Sequence, residues 1–130
     1  MAKFNALSDT HRAFIAAQSV FYVAITGSDG RIDIYPNTID RFQVLDDRRV
    51  AFLDITESYS DLGDDTAIDD RITILFFDYE YSPQTVHIYG HRHETQILHR
   101  RWRELTSRFK LYSGPVRCFE VALDCVEVVD

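Results

Sequence analysis

Lysine is almost missing from this 130-residue chain: Lys3 and Lys110 are the only two, against twelve arginines. Positive charge is scarce altogether, with 14 basic residues to 21 acidic ones and a formal net charge of -7. Such a chain lacks the basic face that nucleic-acid binding needs to displace counterions from phosphates. An anionic membrane surface is an equally poor partner. The few cations are nearly all guanidinium groups, which suit bidentate pairing with carboxylate or phosphate. Cysteine is limited to Cys118 and Cys125. Seven apart on one predicted strand, they should face opposite sides, and no bridge is expected between them. No apolar run reaches membrane length, and residues 1–5 carry no apolar core of a secretory leader. The expectation is a cytoplasmic protein with free thiols. The chain also lacks a Walker phosphate loop, Gly-x-Gly-x-x-Gly, Gly-x-Ser-x-Gly and Cys-x-x-Cys, so several large enzyme classes have no support.

What is present is ordinary globular material: 45% hydrophobic and 27% charged residues, in a length that fits one domain over 1–130. The charge is unevenly spread. Nine acids and one base, Arg71, fall between Asp54 and Glu80, whereas five bases and one acid fall between His99 and Lys110. A solvated acidic loop and a solvated helix face account for this. The two stretches could also meet, within a chain or across a dimer.

Ser8 and Asp9 can cap a helix carrying Ala13, Phe14 and Ala17. From Val20 the pattern alternates, and the cluster Gly27-Ser28-Asp29-Gly30 joins two predicted strands, 20–26 and 31–35. Tyr35-Pro36-Asn37-Thr38 then reads as a turn, or as a place where Asn and Thr offer polar contacts to a ligand. Strands follow at 42–45, 50–55, 71–77, 85–97 and 117–129. Residues 56–70 read as a polar, acidic loop. Leu98, Trp102, Leu105 and Phe109 form one apolar stripe on a helix, more core than cofactor contact, and Gly114-Pro115 stops it. The fold class is mainly β: six or seven antiparallel strands with two helices, closed into a split barrel.

Two constellations can carry chemistry. His87, Tyr89, His91 and His93 share one face of the 85–97 strand. A metal shared by His91 and His93 is one reading, and a wet strand face the other. Arg71 opens the buried strand 71–77 with Thr73 on the same side. It can grip a phosphate or pair with Asp69 or Asp70.

Laid out in order, these segments resemble the pyridoxamine 5'-phosphate oxidase-like family of FMN-binding split barrels. The resemblance runs from about Phe14 to Val129. It rests on Phe21-Tyr22-Val23-Ala24-Ile25-Thr26 before Asp29-Gly30, Asp33-Ile34-Tyr35-Pro36-Asn37, and Arg49-Val50-Ala51-Phe52-Leu53-Asp54. It continues through Arg71-Ile72-Thr73-Ile74, Val86-His87-Ile88-Tyr89-Gly90, Trp102-Arg103-Glu104-Leu105 and Gly114-Pro115-Val116-Arg117. The resemblance implies a homodimer with two FMN sites at the subunit interface and a small-molecule substrate. It implies phosphate contacts from Arg71 and Thr73, with Asn37, Thr38 and Ser58 as further cofactor-binding positions. Tyr35 stands where the family motif has Ser, Asn37 where it has Lys, and His87 where it has Arg. Bound flavin would supply the redox chemistry. The alternatives are a dimeric barrel that has lost flavin and serves as a binding domain, and a metal or haem protein using the histidine face.

Overall fold

The structure, a computed structural model, describes residues 1–26, 30–54, 70–78, 80, 83–110 and 116–130. Ser58, most of the acidic loop, most of the Gly27–Gly30 turn, residues 81–82 and Gly114-Pro115 lie outside the described residues. In chain order the elements are β1 (Ala2–Phe4), α1 (Asp9–Ala16), β2 (Val20–Thr26), β3 (Ile32–Thr38), a 3-10 turn (Ile39–Arg41), β4 (Phe42–Asp46), β5 (Arg49–Asp54), β6 (Arg71–Asp78), β7 (Gln84–Thr95), α2 (Arg100–Thr106) and β8 (Arg117–Val129). Seven strands form one antiparallel sheet in the order β3-β2-β6-β7-β8-β5-β4, and the short β1 pairs with β8. No helix among the described residues is long and apolar enough to cross a membrane, which says nothing of a β-barrel.

The ends of that path, β3 and β4, are consecutive in the chain, so the sheet must curl back on itself. Aromatic side chains register the curl. The Phe21 ring of β2 lies 5.2 Å from Phe42 of β4 and 6.1 Å from both Phe52 of β5 and Phe76 of β6. Strands at the two ends of the sheet thus share one core, with Val23, Ile25, Ile74, Ile88, Val121 and Val126 around these rings. This is the mainly β split barrel expected from the alternating segments. A second cluster lies outside the barrel. There Leu105 and Phe109 cover Ala51 and Leu53 of β5 and Cys118 of β8, with Trp102 packed against them. The Trp102 stripe is therefore core. Leu98, expected on that stripe, precedes the helix and is 96% exposed. Arg101 fastens α2 to the barrel through two hydrogen bonds to Glu120, at 3.1 and 2.6 Å.

Three local features depart from the sequence reading, each for a physical reason. Pro36-Asn37-Thr38 is not a turn but the end of β3, with Pro36 opposite Tyr22. An edge strand tolerates proline because its outward N–H needs no ladder partner. Helix α1 ends at Ala16 with Ala17 as its C-cap, short of the length read from the sequence, and its N-terminus is closed by a reciprocal cap. The Ser8 Oγ accepts from the His11 N–H at 3.1 Å, and the His11 Nδ1 accepts from the Ser8 N–H at 3.0 Å. Burial holds the His11 pKa below the ordinary imidazole range, which keeps Nδ1 an acceptor. Finally, the β7–β8 register shifts at Tyr89/Gly90, leaving Asp124 as an extra residue between Leu123 and Cys125. The bulge reverses the parity of the rest of β8. Val126, not Cys125, joins Phe119 and Val121 in the core. Cys118 pairs with Thr95 and Cys125 with Tyr89, so both point outward rather than to opposite sides. Both are free thiols, and burial pushes the Cys118 pKa up to about 12.

Candidate functional site

Alternation sends every second residue of β2, β6 and β7 away from the core. Where Val23, Ile74 and Ile88 point in, Tyr22, Ala24, Thr73, Leu75, His87 and Tyr89 point out. No helix covers this part of the sheet among the described residues; α2 sits on β5 and β8. Two open clefts mark its two ends.

The first, of about 310 Å³, lies where β2 ends and β6 begins. Ala24 and Thr26 of β2, Arg71 and Thr73 of β6, Tyr89 of β7 and Asp124 of the β8 bulge line it. Arg71 is exposed and sits directly opposite His91. Thr73 sits opposite Tyr89, so two hydroxyl-bearing side chains face the cleft from neighbouring strands. The Arg92 backbone N–H donates to the Asp70 carbonyl at 2.8 Å, and its guanidinium donates to the Arg71 carbonyl at 3.3 Å. The mouth of β6 is thereby pinned to β7. Tyr89 is hydrogen-bonded to the His87 Nδ1 at 3.0 Å. Its phenol pKa is raised by burial first, then by Glu127 and Cys125. It therefore stays protonated at neutral pH and acts as a hydrogen-bonding group, not a base.

His91 closes the rim of this cleft. Its Nδ1 meets Asp70 Oδ1 at 2.8 Å and its Nε2 meets Asp124 Oδ2 at 3.0 Å. The hydrogen bond to Asp70 is the largest influence and raises its pKa above the ordinary imidazole range; desolvation, the next largest, opposes it, and the charges of Asp124 and Asp70 add to the rise. Both ring nitrogens are thus taken by carboxylates, so His91 does not join His93 in presenting two nitrogens to a metal. Among the described residues no group of three or more His, Cys, Asp or Glu side chains is placed to hold a metal ion.

Asn37 and Thr38 lie elsewhere. Asn37 pairs with Phe21, three residues along β2 from Ala24, or about 10 Å at the usual strand rise. Its amide nitrogen donates to the Leu53 carbonyl at 2.9 Å, and its Oδ1 accepts from the Thr38 N–H at 2.9 Å and from Arg41 at 3.4 Å. The Thr38 hydroxyl donates to Asp40 at 2.6 Å. Asn37 therefore ties β3 to β5 across the split of the barrel. Within one chain, Arg71 and Thr73 share a cleft, while Asn37 and Thr38 are not brought into it. The residues that sequence reasoning missed are Asp124 and the His91 clamp. The signal was Gly90 inside a strand, a common mark of a bulge or a close backbone approach.

The second cleft, of about 670 Å³, lies at the opposite end of the same face. Gln18, Ser19, Tyr22, Phe77, Asp78 and Glu80 line it, and the Tyr22 and Phe77 rings meet edge to face with centroids 5.5 Å apart. The face is apolar and bare at both ends: Val20 lines this second cleft and is 38% exposed, while Ile32, which lines the first cleft, and Ile34, which pairs with Ala24 there, are 69% and 58% exposed.

No protein-family model matches the chain, and no curated protein matches it. Solved structures do. A Lactobacillus delbrueckii protein named as a candidate pyridoxamine 5'-phosphate oxidase superimposes with a TM-score of 0.74 at 14% identity, covering 98% of this chain and 99% of that one. HupZ from Group A Streptococcus, in a variant form, superimposes with a TM-score of 0.70 at 15% identity, covering 94% and 98%. The FAD-binding protein from Mycobacterium smegmatis gives 0.67 at 16% identity, covering 95% of each chain. At such identities the likeness is one of fold.

Proposed function

We propose, taking as premise the pyridoxamine 5'-phosphate oxidase-like split-barrel fold that this chain has, that it binds FMN and serves as a flavin-dependent oxidoreductase for a small molecule. The observation that carries the reading is the placement of Arg71 and Thr73 side by side on the open face of β6, in one cleft with Thr26 and Tyr89. A guanidinium can bond two phosphate oxygens at once, and hydroxyls can donate to others. The donor set fits a phosphate. Among the described residues Asp124 is the one lining acid, and it is bonded to His91. The FAD-binding protein of the same fold supports a flavin over other phosphate-bearing ligands. Bound, the flavin would supply hydride or electron transfer. The chain's own part is to hold the phosphate, present hydroxyl groups and keep water off one side.

A cleft of about 310 Å³ is at the small end for a ligand site, commonly about 300–1,000 Å³. One chain would thus supply part of the site. A homodimer across the bare face completes it. Self-complementary packing about a two-fold axis running across the strands sets the Arg71 cleft of one protomer against the Tyr22–Phe77 cleft of its partner. It also covers Ile32 and Ile34. Sedimentation should find a dimer at micromolar concentration, and a clean monomer would remove this arrangement.

The deciding experiment is a titration with FMN followed by flavin fluorescence. The wild-type chain should bind it, and Arg71→Ala should bind it roughly 1.5–3 kcal/mol more weakly, about ten- to 150-fold. Equal affinity in the two would show that Arg71 does not hold the phosphate. Failure of the wild-type dimer to bind FMN would leave the flavin-free binding domain as the reading.

A further inference from the structure

The cleft of about 670 Å³ at the Tyr22 end of the open face collects negative potential from three unrelated sources. The first is a pair of carboxylates, Asp78 at the end of β6 and Glu80 just beyond it. Asp78 Oδ1 accepts from the Glu80 N–H at 3.0 Å, which fixes that carboxylate at the edge of the cleft. The second source is aromatic. Tyr22 of β2 and Phe77 of β6 meet edge to face with centroids 5.5 Å apart, and the faces of such rings are electronegative. The third is backbone. Gln18 and Ser19 on the wall follow the C-cap of α1, the end where the helix dipole leaves roughly half a negative charge. The last turn of α1 has no basic residue to offset it, and a neutral amide serves the Phe14 carbonyl, to which Gln18 Nε2 donates at 3.0 Å. The chain has 14 lysines and arginines, yet none is among the described residues that line this cleft. On the next strand Gln84, opposite Asp78, donates to Asp130, so the neighbouring charge is negative as well.

We propose that this cleft binds a small organic ammonium ion, with Tyr22 and Phe77 against its apolar groups and Asp78 and Glu80 matching its charge. A bare metal ion is a poorer match. Hard cations take about six or more oxygen ligands, whereas rings and the half-exposed Val20 make up much of this wall. An alkylated ammonium spreads its charge over a hydrocarbon surface, and ring faces attract it. The volume of about 670 Å³ falls inside the usual span of small-molecule sites, about 300–1,000 Å³. The claim uses no residue of the Arg71 cleft and is complete within one chain, so it stands or falls apart from the flavin reading.

The test is a titration of the intact protein with choline, beside its neutral carbon isostere, in which a tert-butyl group replaces the trimethylammonium. Backbone amide shifts of Ser19, Tyr22 and Asp78 report binding. Choline should shift these amides with a dissociation constant of about a millimolar, and the isostere should bind at least about fivefold more weakly. Raising the ionic strength from about 0.01 to about 0.1 M should weaken choline roughly two- to threefold and leave the isostere unchanged. Tyr22→Leu and Asp78→Asn should each weaken choline about three- to tenfold. Tyr22→Phe keeps a ring and should bind as wild type does. The Asn amide oxygen in Asp78→Asn can still accept from the Glu80 N–H, so the loss there reports charge and not a broken turn. Equal binding of choline and its isostere would make the cleft an apolar groove indifferent to charge and overturn the proposal. So would choline that binds Tyr22→Leu and Asp78→Asn like wild type, or that shifts none of these amides. A Tyr22→Phe variant as weak as Tyr22→Leu overturns the role of the ring.

Discussion

Phe21→Ala should destabilise the protein by about 3–5 kcal/mol, the range for truncating a large aromatic in a packed core. Phe21 is fully buried, and its ring meets Phe42, Phe52 and Phe76 at centroid distances of 5.2–6.1 Å. Those four rings come from β2, β4, β5 and β6. They are where the two halves of the curled sheet touch, so the cavity left by Phe21 cannot close by moving one strand alone. Most single domains have about 5–15 kcal/mol of stability in all, so the variant should be near its folding limit at 37 °C. Urea unfolding should show a lower midpoint with an unchanged slope. Phe4→Ala is the control: Phe4 is 41% exposed on β1 and should cost far less. Equal losses in the two variants would show that the barrel is not held at the Phe21 cluster.

That cluster was legible in the sequence because period two is a strong signal. Phe21, Val23 and Ile25 alternate with Tyr22, Ala24 and Thr26, and only one of those sets can be inside. The same logic placed Arg71 and Thr73 together on one side of β6. It could not show what lies on the neighbouring strands, because register is not written in alternation. Thr73 faces Tyr89, and Arg71 faces His91, only because β6 and β7 pair as they do. β1 was invisible for another reason. Three exposed residues carry no pattern, and their pairing with Val126–Val128 is decided by β8. Proline misled at position 36, where the edge of the sheet removes the penalty that a central strand would impose. The largest miss, the bulge at Asp124, set Cys118 and Cys125 on opposite faces in the sequence reading and hid the acid that meets His91. One extra residue in a strand leaves a composition that looks the same and an orientation that is reversed.

Gly90 is the residue on which that bulge depends, and Gly90→Ala should cost roughly 3 kcal/mol or more, at or above the usual range for overpacking. A Cβ at position 90 would lie 2.2 Å from the Ala122 carbonyl oxygen and 3.0 Å from both the Ala122 carbonyl carbon and Val121 Cγ1. The nearest obstacle is backbone of the adjacent strand, which cannot rotate aside as a side chain can. Relief requires β8 to move away from β7 at the register shift. This seam carries the longest pairing in the sheet, from Thr85–Val129 to Thr95–Cys118. The consequence reaches the cleft, because moving β8 there moves Asp124 from its 3.0 Å contact with His91. Gly90→Ala should therefore lower the urea midpoint and, where the protein still folds, loosen the Asp124–His91 contact. The double variant Gly90→Ala with Val121→Ala separates the two obstacles. It removes the side-chain contact and leaves the carbonyl, so it should recover little. Full recovery would place the crowding on the Val121 side chain, and a Gly90→Ala protein within 1 kcal/mol of wild type would mean that β8 does not approach β7 so closely.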